Sequence, residues 1–210
     1  MRGPPGAAAA VDRPVWVAAS VGPYGAVLAD GSEYRGRYGL GVAELERFHR
    51  PRIDAVAAAG ARLLALETVP DTTEAEALLR ALEDREEPVT AWLSYTVEGG
   101  RTRAGQPLDE ALALAAASPA VVAVGVNCCH PADVGPAVES AAAHGKPVVA
   151  YPNDGSEWEE ETRTWHPPRT PLDLQARQWQ SAGARLIGGC CRVGPPQIAA
   201  LARALRPDGS

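Results

Sequence analysis

Six times along this chain a short β-rich run gives way to a stretch rich in Ala and Leu. The runs are Val15 to Ala19, Leu63 to Leu66, Val89 to Thr96, Val121 to Cys128, Pro147 to Tyr151 and Ala184 to Cys191. The stretches between and after them read as helices: Val42 to Ala59, Thr72 to Glu86, Leu108 to Ala117, Ala132 to His144, Leu172 to Ala182 and Pro195 to Leu205. Their boundaries carry physical signals. Gly60 suits a helix stop, Asp71 and Glu74 have capping-box spacing, Asp109 and Glu110 sit where a helix dipole favours them, and Pro195 can open a helix. Strands alternating with helices predict an α/β fold with a parallel sheet and helices outside it. The runs are almost continuously apolar, as expected for strands covered on both faces.

The polar and reactive residues fall at the carboxyl ends of these runs: Ser20, Glu67, Ser94, Asn127 with Cys128, Asn153 with Asp154, and Cys190 with Cys191. A (β/α)8 barrel carries its chemistry on that rim, and an open doubly wound sheet places its ligand there too. No glycine-rich dinucleotide fingerprint follows the first run, which favours the barrel. The formal net charge of −6 gives no electrostatic footprint for nucleic acid. No apolar run approaches the ~20 residues that cross a bilayer. Residues 1–14, rich in Gly, Pro and Ala, read as a disordered leader before one domain spanning 15–206. Four cysteines are too sparse for a disulfide scaffold, so a reduced, cytoplasmic chain is expected.

Two of the apolar runs end in cysteine: Gly125-Val126-Asn127-Cys128 and Gly188-Gly189-Cys190-Cys191. A single such cysteine is ordinarily a small buried hydrophobe. Three at strand ends suggest thiolates meeting at one mouth of the fold. Three thiolates with a free fourth position describe a zinc site that can still bind substrate. A Cys128–Cys190 disulfide switch is the competing chemistry, and Cys129 is expected to pack behind the site.

These two motifs resemble the zinc motifs of the homocysteine S-methyltransferases. So do Ala19-Ser20-Val21-Gly22-Pro23-Tyr24-Gly25, Asp30-Gly31-Ser32-Glu33-Tyr34, Phe48-His49-Arg50-Pro51-Arg52, Leu66-Glu67-Thr68, Tyr151-Pro152-Asn153 and Thr164-Trp165-His166. They are similar to the bacterial and plant members that use S-methylmethionine or S-adenosylmethionine. The resemblance implies a (β/α)8 barrel and a methyltransferase that binds Zn(2+) through Cys128, Cys190 and Cys191. It implies homocysteine as acceptor, one of those two sulfonium compounds as donor, and methionine as product. Glu67 would then pair with the homocysteine ammonium group. Asn127 would hold a turn, orient the cysteine or touch substrate, and Ser94 is a weaker substrate-side candidate. Tyr24, Tyr34, Trp158 and Trp165 are aromatic faces that could attract a cationic donor, by about 0.5–2 kcal/mol each, or simply pack their loops. His166 reads as a loop or substrate contact, and His49 as structural.

One departure from the family pattern stands out. A family barrel has eight strand-helix units, and this chain reads as six, the run at Val15 matching the third. An incomplete barrel with edges at the Val15 and Leu186 strands is therefore expected, with apolar interior surface open to water and a tendency to aggregate. Two other outcomes follow from the same residues: a truncated, catalytically inactive zinc-binding homologue, or a redox protein that pairs Cys190 with Cys128.

Overall fold

The structure, a computed structural model, describes residues 15–83, 85, 87–159, 164–166 and 170–206. The leader expected at residues 1–14 lies outside them. Among the described residues there are ten strands: β1 (Ala19–Val21), β2 (Leu63–Val69), β3 (Thr90–Tyr95), β4 (Val97–Glu98), β5 (Arg101–Thr102), β6 (Val121–Asn127), β7 (Val148–Tyr151), β8 (Glu157–Glu159), β9 (Thr164–His166) and β10 (Ala184–Ile187). The helices are α1 (Tyr24–Leu28), α2 (Val42–Ala58), α3 (Thr72–Leu82), α4 (Leu108–Ala117), α5 (Pro131–Ala142), α6 (Leu172–Ala182) and α7 (Pro195–Ala204).

Six strands form one parallel sheet in the order β1-β2-β3-β6-β7-β10. Each strand of the sheet lies beside the one that precedes it along the chain. A doubly wound sheet reverses direction partway; this one never does, which is the winding of a barrel. The helices follow suit, with α2 on α3, α3 on α4, α4 on α5, α5 on α6 and α6 on α7. Among the described residues β1 and β10 each have one strand partner, so the barrel is an open arc of six units. Two hairpins, β4 with β5 and β8 with β9, extend from the carboxyl ends of β3 and β7.

Side chains alternate across each strand. Leu64, Leu66, Leu93, Tyr95, Val124, Val126, Val148 and Ala150 face the helices, in one cluster with Ile53, Leu78, Leu112, Val138 and Trp179. Burying each Leu or Val fully contributes ~1.5–3 kcal/mol, so this layer carries most of the fold's stability. The other face holds Ala65 and Glu67 on β2, Trp92 and Ser94 on β3, Ala123, Gly125 and Asn127 on β6, and Val149 and Tyr151 on β7. It is polar towards the carboxyl end, where Glu67, Ser94 and Asn127 lie as the sequence suggested. Gly125 pairs with Val149, and a Cβ there would collide with the Val149 carbonyl oxygen. Glycine is thus required for β6 and β7 to lie in register.

The element boundaries depart from expectation in a few places. β1 begins at Ala19 rather than Val15, because pairing with β2 starts at Leu64. Val15, Trp16 and Val17 precede it and are exposed. α3 ends at Leu82, before the expected Glu86. Asp71 caps α3 by accepting the Thr73 N–H at 2.9 Å, but Glu74 does not complete a capping box. Glu74 is wholly buried and accepts from the Tyr24 N–H at 2.5 Å and the Tyr38 hydroxyl at 3.1 Å, with His49 Nε2 at 2.9 Å. His49, on α2, is therefore structural, and this carboxylate ties the loop after β1 to two helices. No helix among the described residues is long and apolar enough to cross a membrane.

Candidate metal centre and substrate rim

Cys128 follows the last residue of β6, and Cys190 and Cys191 lie just beyond β10. The Sγ atoms of all three lie within 4.8 Å of one another. Cys128 and Cys190 form a disulfide with their Cα atoms 5.6 Å apart, and Cys191 Sγ is 3.9 Å from Cys128 Sγ. Three sulfurs tetrahedrally arranged at ~2.3 Å from zinc would be about 3.8 Å apart. The Cys128–Cys191 separation already meets that, and the donor set is that of a thiolate metal site once the disulfide is reduced. Cys129 is buried, and burial pushes its thiol up to about 12.

A single loop holds the two halves of the cluster together. Cys128 N–H donates to the Tyr151 carbonyl at 3.3 Å and Asn153 N–H to the Cys129 carbonyl at 3.0 Å. From the other side, Cys190 N–H donates to the Pro152 carbonyl at 2.8 Å, and Asp154 N–H to the Cys191 carbonyl at 3.2 Å. Asn153 Oδ1 also accepts the Cys191 N–H at 3.3 Å. Asp154, nearly fully buried, lies 3.4 Å from Arg192 Nε. The residues Tyr151 to Asp154 therefore clamp both cysteine-bearing strand ends. Cys128 has φ 48°, an unusual backbone state for a residue with a side chain, which this clamp sustains.

Beside the cluster lies a connected polar rim. Glu67 accepts from Ser20 Oγ at 2.5 Å and from the Tyr151 hydroxyl at 2.9 Å. The Tyr151 hydroxyl also meets Ser94 Oγ at 2.7 Å and accepts the Trp92 indole N–H at 2.9 Å. Ser94 Oγ reaches Asn127 Oδ1 at 2.8 Å. Burial, and then the nearby Glu67 charge, push the Tyr151 phenol well above its ordinary range. The structure thus brings Glu67, Ser94 and Asn127 together. Ser94 and Asn127 are fully buried, and Asn127 spends its amide on Ser94 and Thr68. Their geometry is that of groups that hold the rim, while Glu67 is partly open.

Sequence reading placed Asp154 on the rim and quoted Thr68 and Tyr151 within motifs, but gave neither these nor Trp92 a specific role. The one available signal was strand alternation, which puts Trp92 and Tyr151 on the same face as Ser94 and Gly125. Of the aromatic loop candidates, Tyr24 packs against Phe48 and Tyr38 with ring centroids 4.9 and 5.2 Å away. Tyr34 faces the cluster; burial first, then the Cys191 thiol, push its phenol up to about 12. The side chains of Trp158, Trp165 and His166 lie outside what the structure describes.

An arc of barrel strands with three cysteine sulfurs converging on its carboxyl rim defines a cysteine-cluster member of the barrel proteins. Comparison with known proteins places it further. A family model described as homocysteine S-methyltransferase matches residues 5–205. The chain is 46% identical over 192 residues to homocysteine S-methyltransferase of Escherichia coli K12, covering 88% of this chain and 61% of that protein. It is 42% identical to the Bacillus subtilis homocysteine S-methyltransferase YbgG, with 90% and 62% covered. It also superimposes on the E. coli homocysteine methyltransferase MmuM. The oxidised form gives a TM-score of 0.75 at 45% identity and the metallated form 0.75 at 44%, each over 89% of this chain and 60% of that one. The chain belongs to the homocysteine S-methyltransferase family. It spans about three-fifths of the length of the relatives it matches.

Proposed function

We propose that this chain transfers a methyl group from S-methylmethionine or S-adenosylmethionine to the sulfur of homocysteine. The new bond joins homocysteine sulfur to the methyl carbon; the donor's sulfonium–methyl bond breaks, and the acceptor's thiol proton goes to solvent. The observation that carries this reading is the convergence of Cys128, Cys190 and Cys191 Sγ within 4.8 Å on the rim next to Glu67. In reduced form these three residues would hold Zn(2+). Bound there, the ion supplies a Lewis-acidic fourth position at which a thiol loses its proton at neutral pH.

The remaining work belongs to the protein. Glu67, with one carboxylate oxygen on Ser20 and the other on Tyr151, presents a fixed negative charge to the homocysteine ammonium group. Ser94 meets the Tyr151 hydroxyl that holds that carboxylate, and Asn127 holds Ser94 and Thr68. The Tyr151 to Asp154 clamp fixes the cysteines, so the acceptor sulfur and the ammonium partner sit in one frame. Holding two reactants in such a frame is a large part of the rate available to a methyl transfer. Residues 15–206 are the homocysteine-binding barrel domain in this reading. A reducing compartment, the cytoplasm, suits its thiols.

The test is direct. The reduced chain, loaded with zinc, is incubated with homocysteine and S-methylmethionine, then with S-adenosylmethionine, and methionine is quantified. One zinc per chain and methionine formation, both lost in Cys190→Ala, are the expected results. Turnover that survives Cys190→Ala would sink the site. The Cys128–Cys190 disulfide favours a second reading, a thiol-redox protein, which requires reversible oxidation with no metal uptake in the reduced state.

A further inference from the structure

We infer that Tyr151 is a positioning residue that sets the aim of Glu67, and through it the grip on the ammonium group of an amino-acid thiol. This rests on the reading of Glu67 given above. β7 is three strands from β2 in the sheet, yet the Tyr151 hydroxyl reaches across the concave face to Glu67 Oε2 at 2.9 Å.

Proton accounting gives the contact a direction. The Trp92 indole N–H can only donate, so at 2.9 Å the Tyr151 oxygen accepts from it. Tyr151 then has one proton and two candidate acceptors, Glu67 Oε2 at 2.9 Å and Ser94 Oγ at 2.7 Å. An ionised carboxylate is the stronger acceptor, so the proton goes to Glu67, and Ser94 turns its own proton to Tyr151 or Asn127. Ser20 occupies the other carboxylate oxygen at 2.5 Å. A carboxylate has about four lone-pair sites, so two remain for an incoming ammonium group, in an orientation fixed by two hydroxyls.

The backbone under Glu67 is fixed as well. Between Leu66 and Val69 the pairing of β2 with β3 slips by one residue. Such a bulge re-aims a side chain. It is made with Thr68 at φ 61°, a state that β-branched residues rarely adopt. Asn127 holds Thr68 there through Oδ1 and Nδ2 at 2.7 and 2.8 Å. Backbone and carboxylate are each held by separate partners, and Tyr151 acts with Ser20 on the charged end. The Trp92 ring, edge-on to Tyr151 at 84° with centroids 6.5 Å apart, keeps the phenol in place.

The experiment compares two thiols on the reduced, zinc-loaded chain by calorimetry: homocysteine, and 4-mercaptobutyrate, which lacks only the ammonium group. The native chain should bind homocysteine at least about tenfold more tightly. Tyr151→Phe, nearly equal in volume, should cut that preference about fivefold while leaving 4-mercaptobutyrate and zinc affinities unchanged. In a Glu67→Gln background the same change should move homocysteine affinity less than about twofold, since Tyr151 acts through Glu67. A native chain with no preference removes the Glu67 reading and this inference together. A native preference that Tyr151→Phe leaves intact overturns this inference alone. So does an equal loss on both thiols, or an undiminished loss in the Glu67→Gln background, either of which marks Tyr151 as a fold residue.

Discussion

Asn127 grips Thr68 at two points, accepting its backbone N–H at 2.7 Å and donating to its hydroxyl at 2.8 Å. The threonine is held at φ 61°, where its side chain is unfavourable, so the pair stores strain against two hydrogen bonds. Asn127→Ala removes both bonds and should destabilise the chain by about 1–3 kcal/mol in urea unfolding. Adding Thr68→Gly, which releases the strain, should restore about 1 kcal/mol.

The Glu74–His49 contact is completely buried on both sides, and Glu74 also anchors Tyr24 and Tyr38. Removing one partner of such a pair is costly because the other is left without compensation. Glu74→Ala should cost about 3–5 kcal/mol. Amide exchange at Tyr24 should accelerate even in conditions where α4 and α5 stay protected.

Gly125→Ala should be among the most harmful single-methyl additions. The new Cβ would meet the Val149 backbone rather than a movable side chain. Overpacking of this kind costs about 1–3 kcal/mol or more. Urea unfolding of Gly125→Ala beside Gly135→Ala, where a Cβ meets open space, isolates the effect.

Alkaline pH should unfold the chain through its buried phenols. Burial first, and then nearby carboxylates, raise Tyr95 and Tyr38 above the ordinary phenol value. A raised folded-state pKa keeps its full stabilising effect below the unfolded value of about 10 and loses it as pH climbs past 10 towards the folded value. Tyrosinate absorbance should therefore rise together with loss of far-UV circular dichroism above about pH 10. Full ionisation of these two residues in a chain that retains its secondary structure would contradict this.

Metal uptake should depend on thiol state. After reduction one zinc per chain should bind and raise the melting temperature, as any ligand of the folded state does. After oxidation with diamide, zinc should bind at least a hundredfold more weakly, because two of the three sulfurs are joined. Cys129→Ala, a change behind the site, should leave uptake unaltered.

Much of this architecture is legible in the order of residues. Six β-rich runs with helices between them specify a parallel sheet, and cysteines ending two of the runs specify a cluster on its rim. The runs do not show where pairing begins, so β1 was expected four residues early; its start is set by β2 across the sheet. Glu74 looked like a capping residue because spacing alone cannot tell a solvated first turn from one packed against α2. Tyr151 went unassigned because its partners Glu67, Ser94 and Trp92 come from two other strands, and only the curvature of the sheet makes them neighbours. The bulge at Thr68 is likewise invisible, since the apolar run Leu63 to Leu66 stops before it.

The sequential strand order also dictates a timetable for synthesis. Each strand can dock on its predecessor as it leaves the ribosome, so β1 to β7 can assemble in order. Cys128 would then wait while some sixty more residues are added, since Cys190 and Cys191 follow β10, which among the described residues pairs with β7 alone. During that interval Cys128 lacks the two sulfurs it meets in the folded chain. The three sulfurs can therefore meet only after β10 has been made, so an ion that needs all three would be taken up after β1 to β7 have paired.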